Sequence, residues 1–187
     1  MPAIVAIVLG VFLGYACGGR PRNLLDLDST GLLPVVVLFA IQDLSRGRVF
    51  WSESTRVGLL AWTSVSICLA AFVWHFSQRT DGRAFGSLGF PLFAIGTLGN
   101  VLVVLLNQAM PVAKLPGTAE RIAAAGGFYG NLNGATLVPW LGDILAFNWG
   151  SGATLLSVGD VLLSVGVLLV LVESMIDRGV VCDGSRV

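Results

Sequence analysis

Two carboxylates near the end of the chain, Asp143 and Asp160, sit in apolar sequence with no charged residue between them. Two carboxylates within a few ångströms of each other cannot both ionise easily. One then keeps a proton near neutral pH and acts as acid while the other is base for a water. Phe147-Asn-Trp-Gly-Ser-Gly152 supplies a turn between them, and a chain folded back there brings both to one level. Asp160 lies in Ser157-Val-Gly-Asp-Val-Leu-Leu-Ser-Val-Gly166, so Ser157 at i−3 and Ser164 at i+4 share its helical face. Gly159 and Gly166 beside that face let another helix approach closely. A structural reading stands beside the catalytic one: Asp160 hydrogen-bonds helices together, and Asp143 caps a loop or helix end in water.

Further polar residues could support such a site. Gly96, Asn100 and Asn107 recur at helical spacing on one face, either lining a path or cross-linking helices. Pro111 ends that run by forcing Met110 out of helical geometry. Asn131 and Asn133 stand in Gly126-Gly-Phe-Tyr-Gly-Asn-Leu-Asn-Gly134. The candidate set is therefore Asp143 and Asp160 as catalytic pair, with Asn131, Asn107, Asn100, Ser157 and Ser164 in support. No metal or cofactor is expected. Cys17, Cys68 and Cys182 are too scattered for a metal site or disulfide framework, and His75 is the sole histidine. A phosphate-binding Walker loop, a dinucleotide fingerprint and a Ser-His-Asp set are all missing.

The elements that must hold these residues are membrane helices. Of 187 residues 55% are hydrophobic and 12% charged, where a soluble domain is about a quarter charged. The net charge of zero offers no field for nucleic acid. A crossing needs roughly 20 apolar residues, and the sequence predicts an all-α polytopic transmembrane bundle forming a single domain over residues 1–187. Five strong spans are expected at about 2–17, 31–43, 57–76, 87–110 and 154–172. Gly18-Gly19-Arg20-Pro21 stops the first, and Trp62 and Trp74 serve as interfacial belt residues of the third. The N-terminus lacks a positive region, so the first run is read as retained. Residues 118–147, glycine-rich and Pro-interrupted, form an uncertain half-span or re-entrant piece, tolerated at depth only where packed in protein or lining a polar cavity. Basic residues divide 5 to 6 between the two sides with five spans and 7 to 4 with six. The second count favours six spans, with both termini cytoplasmic.

Two resemblances follow from the motifs. Gly18-Gly-Arg20 with Leu24 to Leu27, Gln42, Asn107 with Met110-Pro-Val112, Leu141-Gly-Asp143 and Ser157-Val-Gly-Asp160 make the chain similar to an uncharacterised family of bacterial multi-pass membrane proteins, found in actinobacteria and clostridia, a domain of unknown function. That likeness implies no activity. Gly126 to Glu173 also resembles lipoprotein signal peptidases, intramembrane aspartic peptidases. Their Gly-Gly-x-x-Gly-Asn-Leu block matches Gly126 to Leu132, and their two catalytic aspartates would correspond to Asp143 and Asp160. Gly134-Ala135 stands where that family has Asp-Arg.

Three functions are expected from these residues: a membrane-embedded acid/base site of hydrolase or peptidase type on Asp143 and Asp160; a small carrier or proton-coupled subunit in which Asp160 titrates and Asn100 and Asn107 line the path; or a non-catalytic assembly or scaffold protein. The expected location is the cell membrane. The lipid bilayer is the expected partner, with a membrane protein or lipid-linked molecule as substrate.

Overall fold

Glycine decides both where the first helix stops and where the helices meet. The computed structural model describes residues 2–25, 41, 55–79, 86–115, 122, 127–149 and 152–176. Helix α1 (Pro2–Ala16) ends in a Schellman turn: Gly18 adopts a left-handed φ of 83°, its amide bonds Tyr15 O at 3.0 Å, and the Gly19 amide bonds Gly14 O at 2.9 Å. A short helix α2 (Arg22–Leu25) follows. Three long helices come next: α3 (Thr55–Arg79), α4 (Gly86–Asn107) and α5 (Val158–Ile176).

Helices α4 and α5 touch backbone to backbone. A Cβ added at Gly96 would lie 2.5 Å from the Gly159 carbonyl oxygen, and one at Gly166 would lie 2.6 Å from that of Gly89. The contacts run in opposite order along the two helices, so α4 and α5 are antiparallel. Gly10 meets Leu171, and Gly14 meets Met175, so α1 runs parallel to α5. Close approach of this kind replaces the hydrophobic driving force where the surroundings are themselves apolar. Helix α3 completes the bundle through Leu69 and Val73, packed with Phe90, Phe93 and Leu163.

Between α4 and α5 the described chain holds four short strands joined by turns and loops. Strand β1 (Met110–Val112) pairs in parallel with β2 (Tyr129–Asn131), and Val112 also bridges Asp143 in parallel. A 3-10 turn, Pro139–Leu141, precedes the hairpin of β3 (Leu145–Trp149) and β4 (Gly152–Leu156). This layer sits at the end of the bundle where α4 stops and α5 starts. A second core fixes it there: Trp62, Val101, Val103 and Val104 of the helices pack with Met110, Phe128 and Leu141, Phe128 standing edge-on to Trp62 at 5.3 Å.

Several sequence expectations change accordingly. The fold is mostly helical, with three helices among the described residues long and apolar enough to cross a membrane, within Val57–His75, Leu88–Asn107 and Val158–Ile176. Helix α1 is a shorter apolar helix, and the run 31–43 lies outside the described residues. In the 118–147 segment, residues 127–147 form strands, loops and a 3-10 turn rather than a half-helix, because Pro139 and the glycines at 127, 130, 134 and 142 disfavour a helical ladder. Helix α4 ends and α5 begins at the same end of the bundle. With α1 and α5 parallel, the start of α1 and the end of α5 lie at opposite ends of the bundle. Trp62 is fully buried in the core rather than in a belt, whereas Trp74 is exposed.

Candidate functional site

Ser157 and Asp160 meet first through local geometry. Helix α5 begins at Val158, which makes Ser157 its N-cap and Asp160 the third residue of its first turn. The Asp160 amide donates to Ser157 Oγ at 2.9 Å, and the Ser157 amide donates to Asp160 Oδ2 at 3.3 Å. This is a capping box, in which two otherwise orphaned amides are satisfied reciprocally. Its carboxylate also favours the positive end of the helix dipole. Asp160 therefore stands at the entrance of the helix, where residues 152–156 are strand, and not deep inside a span beginning at 154.

Asn100 closes this box into a ring. Ser157 Oγ donates to Asn100 Oδ1 at 2.8 Å, and Asn100 Nδ2 donates to Asp160 Oδ1 at 2.9 Å. Ser157 and Asn100 are buried. Both Asp160 oxygens accept from within the ring, and the ring joins α4 to α5 where Gly159 lets the Asn100 side chain pass. Ser164 is outside it: its Oγ is buried and makes no hydrogen bond among the described residues.

Asp143 belongs to a different construction. Its amide donates to Pro111 O at 2.8 Å, and its carbonyl accepts from the Ala113 amide at 3.0 Å, an isolated parallel bridge to Val112 on the open edge of β1. Gly142 makes this approach possible, since a Cβ there would lie 2.7 Å from Pro111 O. Val112 pairs with Asn131 on one side and Asp143 on the other. In-register residues of a parallel sheet point to one face, so Asn131 and Asp143 flank Val112 on the same side. Asn131 is exposed, but Asp143 is only 6% exposed. The Asp143 side chain lines a hollow of about 20 Å³ with Val112, Ile122, Tyr129 and Leu155, room for about one water.

Asn107 is a clamp. Its Nδ2 donates to Leu137 O at 2.9 Å and to Val103 O at 2.8 Å, while its Oδ1 accepts from the Leu137 amide at 2.8 Å. Thus the sequence-predicted residues separate into a ring (Asn100, Ser157, Asp160), a strand patch (Asn131, Asp143) and a clamp (Asn107). The β3–β4 hairpin does fold the chain back between the two aspartates, and the ring and the patch nonetheless hold them with different partners. Sequence reading missed Tyr129, Leu155 and the close approach at Gly142. It also missed the capping box, although Ser-x-x-Asp before an apolar run is its signature.

Helices of crossing length, closed by a polar ring and topped by a small β layer, define a helical-bundle class with apolar outer faces. The chain belongs to the family described as "Family of unknown function (DUF5317)", which matches residues 26–172. No curated protein and no solved structure matches the chain.

Proposed function

We propose that this is a multi-pass integral protein of the cell membrane, working as a non-catalytic assembly or scaffold component. The observation that carries this is the closed Asn100–Ser157–Asp160 ring: each side chain of the most polar cluster between the helices is committed to holding α4 against α5. A membrane location is supported by the outward apolar faces, such as Phe12 of α1, Leu60 of α3 and Leu102 of α4. Five crossings are the topology we favour. Leu25 and Thr55 lie at opposite ends of the bundle, and a crossing by residues 31–43 would join them. Reporters at the N-terminus and after Arg186 are then expected on opposite sides; reporters on one side would remove the five-crossing topology.

Scaffold and acid/base roles part on substitution. Asp160→Asn can still hydrogen-bond in the ring, so membrane levels and cellular phenotype should persist, whereas Asp160→Leu should lower assembly by leaving buried donors unsatisfied. Loss of phenotype in Asp160→Asn at normal membrane levels would contradict the scaffold role. The carrier alternative draws less support, because Asn107 clamps backbone instead of facing a path.

A second reading rests on one observation, the buried Asp143 carboxylate lining a hollow beside Tyr129. It keeps the polar site in the segment before α5 but gives it one carboxylate rather than the pair that a signal-peptidase-like mechanism on a membrane protein or lipid-linked substrate requires. Asp143→Asn abolishing a phenotype that Asp160→Asn leaves intact would favour this reading.

A further inference from the structure

We infer that the turn around Trp140 is a membrane-interface anchor, seated at the boundary between lipid headgroups and acyl chains. This rests on the membrane reading above and adds a second mode of lipid contact, through the β layer rather than the crossing helices.

Leu137, Trp140 and Phe147 are each more than half exposed, at 53%, 60% and 54%, and Ile144 is 38% exposed. Residues 122–149 contain a single charged residue, Asp143, and that one is buried. A loop facing water would ordinarily carry charges among its exposed positions; this one presents aromatic and aliphatic groups without any. Tryptophan is the residue type enriched at headgroup level, where an apolar ring and a polar N–H both find partners.

The backbone is prepared for poor hydration. Unpaired amides and carbonyls are costly near hydrocarbon, and here Asn107 satisfies both polar backbone groups of Leu137. Pro139 has no amide to satisfy. The amides of Leu141, Gly142 and Ile144 bond Val138 O, Pro139 O and Gly142 O. Val138 is held at φ 52°, a left-handed conformation costly for a β-branched residue, so this turn is held to one shape by its neighbours.

Continuity supplies the occupant. Asn107 is the last residue of α4, and the preceding Leu102, Leu105 and Leu106 are exposed. The clamp therefore places Leu137 at the end of α4, level with the last turn of this outward apolar stripe. If that stripe faces acyl chains, the turn lies where the stripe reaches the headgroups.

The test uses full-length protein with Cys17, Cys68 and Cys182 replaced by serine, reconstituted in vesicles of phosphatidylcholine and phosphatidylglycerol. Nitroxide labels are placed singly at Trp140→Cys, at Leu137→Cys so that one variant retains the tryptophan, and at Leu102→Cys. Collision rates with oxygen, which partitions into lipid, are compared with those of a water-soluble nickel chelate. The expected result is strong oxygen preference at 102 and a shallower but clear oxygen preference at 137 and 140. Oxygen preference at 102 with nickel preference at both turn positions would overturn the anchor and leave the membrane reading intact. Nickel preference at all three would remove the membrane reading and the anchor together. Spin–spin broadening at 140 that vanishes on dilution with unlabelled protein would overturn lipid as occupant in favour of a second copy of the chain.

Discussion

Asp160 and Asp143 are the same residue type in neighbouring parts of the molecule, and they are held in opposite ways. Asp160 is fixed through its side chain: Asn100 and Ser157 occupy both of its oxygens, and its position follows from the helix that starts beside it. Asp143 is placed by backbone pairing against Pro111 and Ala113, and it lines the hollow beside β1. The difference teaches that a carboxylate in apolar sequence is placed either by a local helix-capping motif or by backbone pairing with residues distant in sequence, and that only the first is visible in a local pattern.

The largest effect that would break the comparison comes from the helix crossing beneath the ring. Gly159→Leu would drive a side chain into Asn100 and the Gly96 carbonyl, separating α4 from α5 and opening the ring. Overpacking typically costs about 1–3 kcal/mol, and lost ring bonds add to it. We expect loss of folded protein in detergent, read by thermal unfolding, while Gly134→Leu, a position with open space around it, should leave the midpoint nearly unchanged.

Next in size is Asp160→Leu. It strands the Asn100 amide and the Ser157 N–H, each unsatisfied buried group costing about 1–3 kcal/mol. The Asn variant should lose no more than about 1 kcal/mol, since the Asn100 amide can turn over and keep a closed ring. Denaturant unfolding in detergent checks the order; equal losses would show that the ring bonds contribute little.

Asn107→Ala should have a smaller and local effect. Removing the bonds to Leu137 costs about 0.5–1.5 kcal/mol for each. Faster hydrogen exchange is expected at the Leu137 amide, with the ring amide of Asp160 unchanged. Smallest is Ser164→Ala. A buried hydroxyl without a hydrogen bond among the described residues gains nothing from burial, so its removal should leave stability within about 0.5 kcal/mol of the parent or raise it. A clear destabilisation would reveal a partner for that hydroxyl.

Sequence periodicity sufficed for part of this. The end of α1 at Gly18 and Gly19 follows from residue type alone. The close helix contact at Gly159 and Gly166 follows from their spacing, and the apolar length of α3, α4 and α5 follows from composition. Trp62 was misread because tryptophan near a span end is ordinarily interfacial; only the packing of Phe128 from the β layer makes its site a core. The β layer itself was hidden because its strands β1 and β2 are three residues long, too short to show alternation. Its pairing brings together Val112, Asn131 and Asp143, distant in sequence, by contacts no local pattern encodes. The ring was half legible: the capping box is a local motif, whereas Asn100 reaches it from another helix.

The claim that the two aspartates act separately is tested most directly by a double-mutant cycle on stability with Asp143→Asn and Asp160→Asn in full-length protein. The account predicts additivity within about 0.5 kcal/mol, as for sites that share no partner. A coupling term above about 1 kcal/mol would contradict it and restore the two carboxylates as one unit.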